Sequence, residues 1–247
     1  MKNLFAIAVS LIVLFVFIFQ QTETRIPDLF SKPTPVDPDW SSIAAWPDVE
    51  INDVEAQPDP NRRITAIVLD DSGSMGADMT AAKLAVIKAL DAMSEDDRVA
   101  VLALNAGMIL PFAHVRDARD TLPNLLRPVR SDGSTPLTRA IKTAQTALEE
   151  EAALSRGFGT FRLIVTTDGQ ANYDEALNEA VEDLAERTPI QVTTIGIGLT
   201  GRHVLRRSDL GSFVDVSNVD GLQVALQAAV AENTQFAAIT SFDEKEN

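Results

Sequence analysis

Residues 64–75 read ITAIVLDDSGSM: six residues without a charge, then Asp70, Asp71, Ser72, Gly73 and Ser74. Ile64 to Leu69 is β-branched and almost wholly apolar, the composition of a strand buried on both faces of a parallel sheet. The polar residues stand where that strand must end. In open sheets of this kind ligands gather beyond the carboxyl ends of the strands, so one short stretch predicts both a buried strand and the place of a site.

Downstream, the apolar period alternates between sheet and helix. Leu84, Ile87, Leu90 and Met93 recur at helical spacing, and the turn Glu95-Asp96-Asp97 leads into a second strand, Val99 to Leu104. Met108 to Val115 reads as a neighbouring antiparallel edge strand. A helix near Asp117 to Leu126 and a loop through Gly133 precede a helix from Thr138 to Leu154, with Ile141, Ala144 and Leu148 on one face. Next come a strand, Phe161 to Thr166, a helix, Tyr173 to Arg187, and a strand, Val192 to Ile197. A short helix, Val204 to Leu210, a strand, Phe213 to Val216, and a last helix from Gly221 to Phe236 complete the pattern. Such alternation predicts an α/β fold over residues 63–237, a doubly wound, mainly parallel, Rossmann-like sheet with helices on both faces. Residues 238–247 read as a polar carboxy-terminal tail.

Upstream, Lys2 is followed by the apolar run LFAIAVSLIVLFVFIF, Leu4 to Phe19. It has no polar face and is close to the ~20 residues that span a bilayer. No small-residue cleavage pattern follows, so residues 1–20 are expected to be an uncleaved transmembrane helix rather than a signal peptide. Lys2 on the short side then places the remaining chain outside the cytoplasm, which in a bacterium with two membranes is the periplasmic side of the inner membrane. Residues 21–62 carry Pro27, Pro33, Pro35, Pro38, Pro47, Pro58 and Pro60 among several acids, which predicts a semi-rigid tether. Trp40 and Trp46 within it dock on the domain, lie near the bilayer or pack locally, the last being the commoner fate.

The 247 residues hold 36 Asp and Glu against 21 Lys and Arg, a formal net charge of −15. That balance opposes attraction to phosphate backbones and argues against a nucleic-acid partner. The chain has no cysteine, which excludes disulfides, thiolate zinc sites and a cysteine nucleophile.

Three strand-end loops carry the chemistry. Asp70, Ser72 and Ser74 offer a carboxylate and two hydroxyls at alternate positions. SDGSTPL, residues 131–137, offers Thr135 just before a helix, and Asp168 follows the strand FRLIV through Thr166 and Thr167. All are hard oxygen donors of the kind Mg2+ prefers. Taken singly, each is better read as a turn or a helix cap, the ordinary use of Asp, Ser and Thr at such places.

Together the five positions resemble the metal-ion-dependent adhesion site of von Willebrand factor A-type domains. That site takes Asp-x-Ser-x-Ser from a first loop, Thr from a second and Asp from a third. The resemblance implies a Mg2+ ion, replaceable by Mn2+ or Ca2+, touched by Ser72, Ser74 and Thr135, with Asp70 and Asp168 acting through water or as acceptors behind them. It also implies a protein partner whose acidic side chain reaches the ion, hence binding rather than catalysis. Similar membrane-tethered bacterial domains are associated with assembly or maturation of periplasmic complexes, and others with adhesion. Asp71, at a variable position of the motif, adds charge, faces solvent or caps the next helix, the cap being preferred. Arg202, His203, Arg206 and Arg207 either line the rim toward an acidic partner or form a solvated basic turn, the turn being preferred. His114 and His203 each lack a metal-binding companion at useful spacing and read as structural.

Two enzymatic readings compete with binding. A Mg2+-dependent, receiver-like phosphoacceptor would pair Asp70 with Asp71 on the metal, but it needs a cation at a strand end, where Gly198-Leu199-Thr200-Gly201 offers no lysine. A hydrolase using Ser72 or Ser74 needs a base, and neither histidine is placed beside these serines by the sequence. DDSGS is also not the Gly-x-Ser-x-Gly elbow.

Overall fold

Ile64 to Leu69 lie at the centre of the sheet, flanked on both sides by neighbouring strands whose facing residues are apolar except Arg98 and Arg162. In the computed structural model, which describes residues 35–47, 61–169 and 175–231, Ile67 stands opposite Val101 on one flank and Ile164 on the other. The strands are β1 (Arg63–Leu69), β2 (Arg98–Ala103), β3 (Gly107–His114), β4 (Thr160–Thr167), β5 (Gln191–Ile197) and β6 (Ser212–Val216), in the order β3-β2-β1-β4-β5-β6. Every neighbouring pair is parallel except β2 with β3, the expected antiparallel edge. The order reverses between β1 and β4. Loops leaving those two strands diverge there and leave a crevice at their carboxyl ends.

The helices are α1 (Trp40–Ala45), α2 (Met79–Ala89), α3 (Val115–Leu126), α4 (Leu137–Leu154), α5 (Glu175–Arg187) and α6 (Leu222–Ala231). Strand side chains alternate between faces. Ile67 and Leu69 join α2, α3 and α6 in one core, while Ile64, Ala66 and Val68 join α4 and α5 in the other. The doubly wound α/β expectation holds.

Details differ from the sequence reading where the local period is not uniform. The expected stripe through Leu84 is not the buried face of α2. Leu84 is 51% exposed, and Met79, Ala82, Ala85, Val86 and Ala89 face the core instead. A kinked 3-10 turn, Gly73–Asp78, precedes α2, and another, Leu90–Ala92, follows it. Leu90 and Met93 are buried beyond the helix end, so they continue its phase only in appearance.

The expected helix Val204 to Leu210 is a single 3-10 turn, Val204–Arg206. His203 Nδ1 accepts from the Leu205 N–H at its start, and Arg207 turns to an extended conformation at its end. Arg202 is exposed, but Arg206 and Arg207 do not belong to a solvated turn. Arg206 bonds both oxygens of Asp215 and lies 4.4 Å from the Phe213 ring centre, while Arg207 pairs with Asp209 and Glu182.

Part of the stretch read as a tether packs along the domain. The Val36 N–H donates to Asp209 at 3.2 Å and the Asp39 N–H to the Glu186 carbonyl at 2.8 Å. Trp46 meets Phe161 edge-on at 4.7 Å between ring centres, whereas Trp40 is 72% exposed. No helix among the described residues is long and apolar enough to cross a membrane. The run Leu4 to Phe19, the prolines 27, 33, 58 and 60, Tyr173, Phe236 and the tail lie outside those residues.

The Val36 anchor gives the docked segment a pH dependence. Hydrogen bonds from Arg207 hold the Asp209 carboxyl below its ordinary value of 3.8. A lowered folded-state pKa contributes stability that is present above that ordinary value and lost as pH falls through the lowered one. Trp46 fluorescence should therefore hold steady down to about pH 4 and shift toward a solvent-exposed signal below it. A spectrum constant to pH 2 would remove Asp209 from the account.

Candidate metal centre

The first loop begins inside the fold. Asp70 is fully buried, and its N–H donates to Thr166 Oγ1 at 3.0 Å, tying the exit of β1 to β4. Its two carboxylate oxygens then clamp two loops. Oδ1 accepts from the Ser72 N–H at 2.9 Å and Oδ2 from the Asp168 N–H at 3.1 Å. Burial pushes the Asp70 carboxyl above the usual carboxylate range, and the charge of Asp168 adds to the rise against the lowering pull of those N–H groups. An ionised Asp70 in this setting is stabilised by a nearby cation.

Above the clamp, three oxygens meet. Ser72 Oγ and Ser74 Oγ lie 2.9 Å apart, and Asp168 Oδ1 accepts from Ser74 at 2.7 Å and from Ser72 at 3.4 Å. Adjacent ligands of a regular octahedron with Mg2+–oxygen bonds stand about 2.9 Å apart, so the two hydroxyls already span one such edge. Ser72 is buried and Ser74 is open to solvent.

The second loop is laced to the first by backbone. The Gly73 N–H donates to the Gly133 carbonyl at 3.0 Å and the Asp132 N–H to the Asp71 carbonyl at 2.9 Å. Ser131 Oγ donates to the Ser72 carbonyl at 2.7 Å and accepts from the Gly76 N–H at 2.8 Å. Gly76 sits at φ 40°, ψ −118°, a bend that a side chain would strain. Thr135 reaches the third loop by packing: a Cβ at Gly169 would stand 2.8 Å from Thr135 Cγ2 and 3.1 Å from its Oγ1. The structure thus brings Asp70, Ser72, Ser74 and Asp168 together by hydrogen bonds and places Thr135 against the same loop.

Asp71 is not a helix cap. It is 1% exposed, and its carboxylate accepts from the Asn105 N–H at 2.7 Å, Asn105 Nδ2 at 3.2 Å and the Ala106 N–H at 3.0 Å. It therefore braces the β2–β3 turn. Asn105 went unremarked in the sequence, although a lone polar residue between Leu104 and a following Ala-Gly was a usable signal.

Among the described residues no three or more His, Cys, Asp or Glu side chains cluster to hold a metal. The donor set is two carboxylates and serine and threonine hydroxyls, which fits a hard divalent cation that keeps water ligands. Both histidines bond elsewhere, His114 at the Asp96 carbonyl and His203 at the Leu205 N–H.

Comparisons agree with this architecture. Among curated proteins none matches the chain. Of solved structures, the von Willebrand factor type A protein from Catenulispora acidiphila is similar with a TM-score of 0.60 at 20% identity, over 69% of this chain and 42% of that one. Proximal thread matrix protein 1 from the mussel byssus, solved with a zinc-occupied MIDAS motif, gives 0.56 at 17% identity, over 71% and 48%. The pilus adhesin SpaC from Lactobacillus rhamnosus GG, in an open conformation, gives 0.53 at 12%, over 71% and 30%. The chain thus spans less than half the length of each of these three proteins. The family model for the von Willebrand factor type A domain matches residues 66–240, the stretch that holds all six strands but the first three residues of β1, and the chain belongs to that family.

Proposed function

We propose that this protein is a metal-ion-dependent protein-binding domain that presents a divalent cation to an acidic side chain of a partner. The observation that carries the reading is the meeting of Ser72 Oγ, Ser74 Oγ and Asp168 Oδ1, no pair more than 3.4 Å apart, at the switch point of the sheet. Ser72, Ser74 and Thr135 would hold the ion directly, with Asp70 and Asp168 balancing its charge through water. Mg2+ suits this set best, with Mn2+ or Ca2+ as substitutes. Bound there, the cation supplies an electrophilic position for an oxygen ligand from outside the chain. The chain's own work is orientation: Asp70 fixes the backbone of Ser72 and Asp168, and the second loop fixes Ser72 through its carbonyl.

Binding is favoured over catalysis because the serines bond each other and Asp168, while the histidines are engaged elsewhere. Asp71 is committed to the β2–β3 turn, which removes the acid pair a phosphoacceptor needs. The zinc-occupied motif of the mussel protein and the adhesive role named for SpaC support the same direction. We place the domain on the periplasmic side of the inner membrane, held by residues 1–20, where it recruits an acidic loop of a complex under assembly or maturation.

The test is affinity capture from solubilised membranes with the full-length chain, in Mg2+ and in EDTA, beside Ser74→Ala. Partners retained only by the wild type in Mg2+ support the reading. The same partners in all samples would sink it.

A further inference from the structure

We infer that the β2–β3 turn is a fourth loop of the metal centre and that Asn105 is the positioning residue that holds Thr135 in place, giving the site its preference for a small cation. The inference rests on the metal-binding reading above and assigns it a residue outside the five-residue motif.

Asn105 joins the first loop to the second. Its Nδ2 donates to the Ser134 carbonyl at 2.8 Å and to Asp71 Oδ1 at 3.2 Å. Ser134 immediately precedes Thr135, and Asp71 stands between Asp70 and Ser72, so a single amide spans both halves of the cluster. The amide also packs over Gly133, where a Cβ would come within 2.7 Å of Asn105 Oδ1. Gly133 has φ 81° and residues 132–134 are exposed, so this stretch takes its rigidity from the bonds of Asp132 and Gly133 to the first loop and, at Ser134, from the Asn105 amide.

The turn that carries Asn105 is firmly based. The Leu104 N–H donates to the Leu69 carbonyl at 3.1 Å, and Arg139 of α4 donates to the Leu104 carbonyl at 3.2 Å. Asp71 accepts the N–H groups of Asn105 and Ala106. Position 105 therefore moves with β1, β2 and α4, and it passes that rigidity to Thr135 through the Ser134 carbonyl. The task needs an NH2 group, because both partners of Nδ2 are acceptors. An aspartate of the same shape would set oxygen against oxygen at both contacts.

Rigidity acts differently on different ions. Mg2+ requires near-octahedral ligands at short distances, whereas Ca2+ accepts irregular shells of six to eight oxygens at longer ones. Loosening Thr135 should cost Mg2+ more than Ca2+.

The experiment is calorimetric titration of Mg2+ and of Ca2+ into the full-length chain, for the wild type, Asn105→Ala, Asn105→Asp and Glu151→Gln. The last breaks the Arg98–Glu151 pair between β2 and α4, and serves as a control for general destabilisation. Both Asn105 variants are expected to lose Mg2+ affinity by at least about tenfold and Ca2+ affinity by less than about threefold. Glu151→Gln should lower the melting temperature and leave the Mg2+/Ca2+ ratio unchanged. Thermal unfolding without metal confirms that each variant is folded, and Asn105→Ala, which introduces no repulsion, keeps the test open if Asn105→Asp does not fold. A wild type that binds both ions with the ratio unmoved by the Asn105 variants would overturn the inference alone. A wild type that binds neither ion would overturn the metal reading together with it.

Discussion

Asp168→Ala is expected to abolish saturable Mg2+ and Mn2+ binding in calorimetry, weakening affinity at least about a hundredfold, or about 2.7 kcal/mol. Asp168 Oδ1 is the atom on which both serine hydroxyls converge, at 2.7 and 3.4 Å, and its carboxylate is the charged oxygen of the cluster that Asp70, turned toward backbone N–H groups, does not duplicate. The Asp168 N–H still reaches Asp70 in the variant, so the loop keeps its backbone attachment. The companion Ser72→Ala removes one hydroxyl and keeps the Ser72 N–H bond to Asp70. It should bind metal weakly while unfolding at nearly the wild-type temperature. Wild-type affinity retained in both variants would show that the three oxygens are a hydrogen-bonded turn and nothing more.

Asp71→Ala is expected to destabilise the domain by about 3–4 kcal/mol in urea denaturation, the net of three hydrogen bonds to a charged acceptor less what water restores at the partly exposed Asn105. The size separates two roles. Loss of a helix cap costs about 1 kcal/mol, whereas loss of a buried brace leaves Asn105 and Ala106 without the acceptor their N–H groups share. A change below about 1 kcal/mol would return Asp71 to the capping role that its position in the chain suggests.

Those two aspartates mark how far the sequence could be read. The central strands were legible because Ile64 to Leu69 and Phe161 to Thr166 are buried on both faces and are mostly apolar, interrupted only by Thr65, Arg162 and Thr166. The five motif positions were legible because their residue types and order match a known pattern at strand ends. The supports behind them were not. Asp71 finds its partners 34 and 35 residues away and Ser131 finds the Ser72 carbonyl 59 residues away, and a backbone N–H or carbonyl has no signature in the sequence of its partner. Leu84 misled for a different reason: 3-10 turns on both sides of α2 let an apolar residue keep helical spacing with Leu90 while pointing outward. Trp46 resembled a tether residue because the ring it meets, Phe161, enters the chain more than a hundred positions later.

The pairing of β1 with β4 has a consequence for how the protein comes into being. Asp70 and Thr166 are 96 residues apart, and at roughly 5–20 residues per second a ribosome takes on the order of 5–20 s to cross that gap. During the wait β1 can pair with β2, but its other edge is open and apolar, the kind of surface that invites strands of other chains. The oxygens of Ser72 and Asp168 come together only when that edge closes. A cation held as proposed above would therefore arrive too late to template the nascent chain and would act as a lock on the finished one, slowing its unfolding more than it hastens its folding.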